Sequence, residues 1–217
     1  IEIICSQITG WFLNPEHKVP ADDNMVVTED TTFYATTKPI VVPPVLEKDD
    51  HFAYIIGYPE GDVRPENSIT REEVATIFFR LLTEETRVAS MGKSEKYADV
   101  ELSRWSNNAI STMSKLGIVN GYEDGTFGPE KLITRAEASK MIVGTMGPAM
   151  MDAAEASKGS SNFTDVAGDH WASGFIAQGV SKGYINGMGD GTFAPNANVT
   201  YAQVVKMLVC VLGYAED

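Results

Sequence analysis

Apolar residues recur at helical spacing in three stretches, and the same polar device precedes each. Val74, Ile77, Phe78, Leu81 and Leu82 form one stripe, Ala138, Met141, Ile142 and Met146 a second, and Val204, Met207, Leu208, Val211 and Leu212 a third. A period near 3.6 predicts an amphipathic helix for each. Ahead of them stand Thr70 with Glu73, Thr134 with Glu137, and Thr200 with Gln203. This spacing lets the Thr hydroxyl accept from the backbone three residues on, while the Glu or Gln reaches back to the Thr N–H. Upstream lie turns beginning at Gly57, Gly121 and Gly187, and a proline (Pro65, Pro129, Pro195) separates turn from cap. The chain is a threefold internal repeat.

The second and third repeats also carry a first helix. Tyr97-Ala98-Asp99-Val100 leads into Trp105, Ala109, Ile110 and Met113, with Gly117 as a left-handed stop, and Phe163-Thr164-Asp165-Val166 leads into Trp171, Phe175 and Ile176 in the same way. In the first repeat the equivalent of Trp105 falls in a proline-rich stretch, so only Asp49–Ile56 remains for a shortened first helix. Residues 83–96 and 147–162 read as connectors, with Met146–Ala156 able to form a helix. Before residue 39 the pattern changes: Gly10–Leu13 and Thr31–Ala35 have strand chemistry. The expected organisation is a β-rich segment at 1–38, a linker at 39–46 stiffened by prolines, and a repeat region at 47–217 divided at 47–90, 91–156 and 157–217.

A lone helix–turn–helix unit cannot bury its stripe. The expected fold is therefore mainly α, with three capped helices directed at a shared axis as a central three-helix bundle. A closed pseudo-threefold body is preferred over a linear solenoid because no repeat is a distinct polar cap.

Composition narrows the function. Seventeen basic residues against 30 acidic ones give a net charge of −13 over 217 residues, which argues against nucleic acid, whose phosphates require a basic footprint. No apolar run is long enough to span a bilayer. Cys5 and Cys210 form neither a disulfide framework nor a metal set, and Cys210 reads as a small buried hydrophobe. The Asp124-Gly125 and Asp190-Gly191 pairs lack a calcium-loop pattern and read as turns. His17, His51 and His170 have no partners at catalytic or metal spacing. Neither a metal nor a cofactor is expected, and no enzyme site is visible. The chain begins without Met or a leader and is read as a fragment.

The candidate binding residues come from the repeated device. Arg71 and Arg135 take the first helical position, where the partial positive charge of the helix end normally favours acids. Either their guanidinium and the exposed N–H groups grip one carboxylate, or each pairs with Asp99, Asp165 or a capping-box Glu. Tyr58 and Tyr122, beside Gly57 and Gly121, either pack on a sugar face or fold onto the core. Trp105 and Trp171 are core or interface residues, or sugar platforms. Asp99 and Asp165 either cap the first helices or accept sugar hydroxyls. In the third repeat Tyr201 replaces the Arg and Met188 the turn Tyr, so at most two competent grooves are expected, built around Arg71 and Arg135. On that view Arg135→Ala weakens binding and leaves the fold intact.

The strings at 133–137 (ITRAE), 69–73 (ITREE), 120–129 (NGYEDGTFGP) and 186–195 (NGMGDGTFAP), with the YADV and FTDV openings, resemble the S-layer homology family over about residues 47–214. The resemblance implies a three-lobed α-helical spindle. It also implies non-covalent anchoring of a surface protein to bacterial secondary cell-wall polysaccharide, often through pyruvylated amino sugars held in inter-lobe grooves, on the Gram-positive cell surface or S-layer. The arginines, Gly-Tyr turns, Asp99, Asp165, Trp105 and Trp171 would then be the glycan-binding set. Within residues 1–38, the pattern from Gly10-Trp11 through Lys18-Val19 to Val27–Ala35 resembles the closing half of an internalin-type β-grasp repeat. The fragment is expected to be monomeric, with a structural protein–protein assembly module of a surface layer as the alternative function.

Overall fold

The computed structural model describes residues 6–21, 30–39, 44–48, 55 and 57–214. The shortened first helix expected at Asp49–Ile56 (apart from Ile55), residues 40–43 of the proline linker, and Cys5 lie outside the described residues. The chain separates into two compact units, Ile1–Val42 and Pro43–Asp217.

The first unit holds two antiparallel strands, β1 (Ser6–Phe12) and β2 (Tyr34–Pro39), which pair from Ser6 opposite Pro39 to Phe12 opposite Tyr34. The register shifts between Ile8 and Gly10. An added Cβ at Gly10 would sit 3.1 Å from the Phe12 ring.

The second unit is helical: α1 (Arg71–Leu81), α2 (Glu84–Ser90), α3 (Asn107–Lys115), α4 (Arg135–Thr145), α5 (Pro148–Ala156), α6 (Ser173–Ser181) and α7 (Tyr201–Val211). No helix among the described residues is long and apolar enough to cross a membrane. All three capping boxes form, and the Thr caps share nearly one backbone geometry, with φ between −83 and −85° and ψ between 161 and 163°. Gly117 and Gly183 end α3 and α6 with φ of +75 and +74°, a region open to glycine at little cost. Two helices lie in the expected connectors. Thr83 caps α2 by accepting from Thr86 N, and Pro148 starts α5 at a position where its missing N–H costs nothing.

Two of the three capped helices pack on the first helix of the following repeat: α1 lies on α3, and α4 on α6, with α5 against both α4 and α6 and α7 touching α4. The packing unit thus crosses the repeat boundary. At the α1–α3 contact the buried Glu72 takes both Nε and Nη2 of Arg104 at 2.8 Å and Ser106 Oγ at 2.5 Å. Where the three capped helices begin, Ile133 N donates to Ile69 O, Val199 N to Ile133 O, and Ile69 N to Val199 O, at 3.1–3.2 Å. This ring of backbone hydrogen bonds closes on itself, and its three side chains are at most 1% exposed. Equivalent residues of the three repeats therefore meet at one point.

Cys210 is only partly buried, not enclosed as expected, because it follows Met207 and Leu208 off the apolar face of α7.

Candidate functional site: the cleft between the second and third repeats

The Thr70 cap puts Arg71 at the first position of α1, with its backbone N–H aimed at the second repeat. That N–H donates to Lys131 O at 2.9 Å, and Glu72 N to Pro129 O at 3.1 Å. At α4 the same positions donate to Ala197 O and Pro195 O, and at α7 to Asn67 O and Pro65 O, at 2.9–3.0 Å. The helix-end donors expected to receive a carboxylate are therefore already satisfied by carbonyls of the neighbouring repeat. A buried N–H must find an acceptor, and the repeat contact supplies one.

Arg71 is only 6% exposed. Its Nε donates to Phe127 O at 2.9 Å, Nη2 to Asn120 O at 3.0 Å, and Nη1 to Glu137 Oε1 at 2.7 Å. It stacks between the rings of Tyr122 and Phe127, 4.8 and 4.6 Å from their centroids. Of the two readings of Arg71, pairing with a capping-box Glu is the one the geometry takes, and the partner is the Glu of the next repeat. Tyr122 Oη donates to the same Glu137 oxygen at 3.0 Å. Burial raises the pKa of Tyr122, while Arg71 opposes the rise and Glu137 adds to it.

Arg135, also 6% exposed, repeats the backbone contacts, donating from Nε to Phe193 O at 2.7 Å and from Nη2 to Asn186 O at 2.8 Å. It has no carboxylate ion pair among the described residues, because Gln203 stands where Glu137 stands one repeat earlier. Burial lowers its pKa, with Asp165 opposing. Neither Asp99 nor Asp165 caps a helix. Asp99 accepts from Phe127 N and Gly128 N, both at 2.7 Å, and Asp165 accepts from Phe193 N at 2.8 Å and Ala194 N at 2.7 Å. These carboxylates fix the loops whose carbonyls the arginines grip. An added Cβ at Gly57 would lie 2.5 Å from Asp62 O, and one at Gly121 would lie 2.5 Å from Thr126 O and against the Tyr97 ring, so both glycines serve their own turns.

A cleft of about 330 Å³ opens beside Arg71, lined by Asn120, Tyr122, Glu137, Lys140 and Trp171, with Glu123 at its edge. Trp171 is 49% exposed and Trp105 61%, so neither is a core residue: each precedes its helix and turns outward. Lys140, which the sequence reading missed, brings a second cation. With the Asn120 amide oriented by its neighbours, its oxygen accepts from Lys140 Nζ at 2.9 Å and its nitrogen donates to Val119 O at 2.8 Å. Burial lowers the pKa of Lys140, Glu155 opposes this, and Arg71 adds to it. The available signal was alignment of the capped helices, which sets Thr76, Lys140 and Lys206 at one position. Tyr58 and Trp105 line a separate cavity beside Tyr201. Among the described residues no group of His, Cys, Asp and Glu is arranged to hold a metal ion.

Residues 96–139 and 162–205 match the family described as the S-layer homology domain. The chain carries S-layer homology domains at these two places. The two S-layer homology matches contain Asp99, Trp105, Gly121, Tyr122, Arg135 and Glu137, then Asp165, Trp171 and Tyr201. The chain is 36% identical over 164 residues to Cell surface glycoprotein 1 of Acetivibrio thermocellus, covering 73% of this chain and 7% of that one. It is 35% identical over 159 residues to the Cellulosome-anchoring protein of the same organism, covering 73% and 35%. It is 36% identical over 105 residues to the Surface layer protein of Brevibacillus choshinensis, covering 48% and 9%. The chain thus spans a small part of these relatives. Relatives named as enzymes also match, over no more than 9% of their length. The S-layer homology domains and these names support anchoring of surface proteins at the cell wall.

Proposed function

We propose that this chain anchors a surface protein to the bacterial cell wall by holding an acidic sugar of the secondary cell-wall polysaccharide in the cleft beside Arg71. The cleft itself carries the reading: a pocket of about 330 Å³ sets a half-exposed Trp171 and the Tyr122 ring beside the ammonium of Lys140. A pyranose ring stacks its apolar face on an aromatic platform, and a carboxylate such as a pyruvyl ketal takes the ammonium through charge-assisted hydrogen bonds. Arg71, neutralised by Glu137, shapes the wall in place of gripping the ligand directly. The role is binding and not catalysis, and the place of action is the cell surface.

Co-sedimentation with cell walls that carry or lack the polysaccharide tests the anchoring. Titration of an acidic wall fragment tests the cleft: Lys140→Gln and Trp171→Ala are each expected to weaken binding about tenfold, equivalent to about 1.4 kcal/mol. Equal sedimentation with stripped walls, or unchanged affinity in both variants, overturns the reading.

A further inference from the structure

The cavity lined by Tyr58, Trp105 and Tyr201 is the Arg71 cleft rebuilt without a cation at the positions of Arg71 and Lys140. It has a volume of about 240 Å³ and is lined by Tyr58, Glu73, Thr76, Arg80, Trp105 and Tyr201. Position by position, Tyr58 answers to Tyr122, Glu73 to Glu137, and the 61% exposed Trp105 to Trp171. Tyr58 Oη donates to Glu73 Oε1 at 3.2 Å, as Tyr122 Oη does to Glu137. Two members differ. Tyr201 stands at the helical position of Arg71, and Thr76 at that of Lys140. Both cations have become uncharged hydroxyl side chains, while the acid and the aromatic platform remain.

The hydrogen-bonding capacity that remains suits hydroxyl groups. Glu73 takes Thr70 N and Thr70 Oγ1 on Oε2, both at 2.8 Å, and only the Tyr58 hydroxyl on Oε1, so it can accept again. It meets no guanidinium ion pair among the described residues. Arg80, seven residues further along α1, stands about 10 Å away along the axis. It lines the far end of the cavity and makes no ion pair or hydrogen bond among the described residues, so it is a donor there. The Tyr201 side chain forms the wall between these ends and likewise spends no hydroxyl hydrogen bond on a described residue.

Resting on the carbohydrate-anchoring reading above, we infer that the Tyr58–Trp105–Tyr201 cavity is a second saccharide subsite that takes an uncharged pyranose, where the Arg71 cleft takes the acidic one. An acidic sugar seated with its carboxylate where Lys140 would lie would here meet Thr76, beside the unneutralised Glu73. The same ring without its carboxylate stacks on Trp105 and exchanges hydroxyl hydrogen bonds with Glu73 and Arg80. One chain would then engage charged and uncharged units of a single polymer, and the two subsites would gain from high effective concentration.

The test titrates the full chain with one wall saccharide in two forms, bearing and lacking its carboxylate. Trp105→Ala is expected to weaken the uncharged form at least tenfold, and Trp171→Ala to weaken the acidic form. The double substitution Thr76→Lys with Tyr201→Arg is expected to reverse the preference of the cavity, giving a second acidic site by stoichiometry. Unchanged circular dichroism in each variant confirms that the fold persists. If the acidic form binds and the uncharged one does not, or if Trp105→Ala leaves the uncharged form untouched, this inference fails and the anchoring reading stands. If neither form binds, the anchoring reading fails with it.

Discussion

Arg71 and Arg135 occupy the same position of successive capped helices and make the same two bonds to loop carbonyls, yet only Arg71 meets a carboxylate. Gln203 shows that Gln can serve as the reciprocal cap, so Glu137→Gln removes the charge and spares the helix start. Losing a charge-assisted bond to a buried guanidinium is expected to cost about 1.5–3 kcal/mol, read as a lower urea midpoint. No change would mean that desolvation already offsets the pair. Arg135→Ala, expected from sequence to be neutral for the fold, would instead leave Phe193 O and Asn186 O without their donors and destabilise it. Asp165 gives a pH signature. Its bonds to Phe193 N and Ala194 N hold its pKa below the ordinary carboxylate value. The stability it adds is thus present above about pH 4 and lost as pH falls through the depressed value. Asp165→Asn should lower the melting temperature at neutral pH and flatten its decline between pH 5 and 2.

At the scale of elements, the three capped helices were legible, and of the two connector helices α5 falls within the stretch Met146–Ala156 read as able to be helical while α2 was not foreseen. A Thr with Glu or Gln three residues on, followed by an apolar stripe, is a local code, and all three copies formed as read. The α2 helix has only seven residues, too few to carry a long apolar stripe, and α5 lies against α4 and α6. Gly174 shows the constraint: a Cβ there would overlap the carbonyl oxygen of Ala154, so α6 lies against α5 only because the side chain is absent. In an exposed helix Gly→Ala gains about 1 kcal/mol. Here Gly174→Ala is expected to destabilise by about 1–3 kcal/mol, the range for overpacking, and a raised thermal midpoint would refute this close approach.

For the repeat region as a whole, Ile69, Ile133 and Val199 join the beginnings of the three capped helices through one closed ring of backbone bonds. Because every repeat donates to one neighbour and accepts from the other, no repeat is an end, and damage at the ring reaches all three. Ile133→Ala is expected to cost about 2–5 kcal/mol, the range for such a truncation in a core. It should shift a single transition, with far-ultraviolet circular dichroism and tryptophan fluorescence moving together. Separate transitions for the two probes would show that the repeats unfold independently.

The sequence by itself determined the caps, the stripes, the Gly117 and Gly183 stops and the threefold count, because each depends on residues a few positions apart whose geometry the backbone fixes. It also carried the loss of the Arg at Tyr201. Only the tertiary structure decided that Glu137 neutralises Arg71 from 66 residues away, that Trp105 and Trp171 turn outward, and that Lys140 faces a cleft. Charge partners and exposure belong to the contact between repeats. A residue's own neighbours in the chain do not specify which loop of another repeat will cover it.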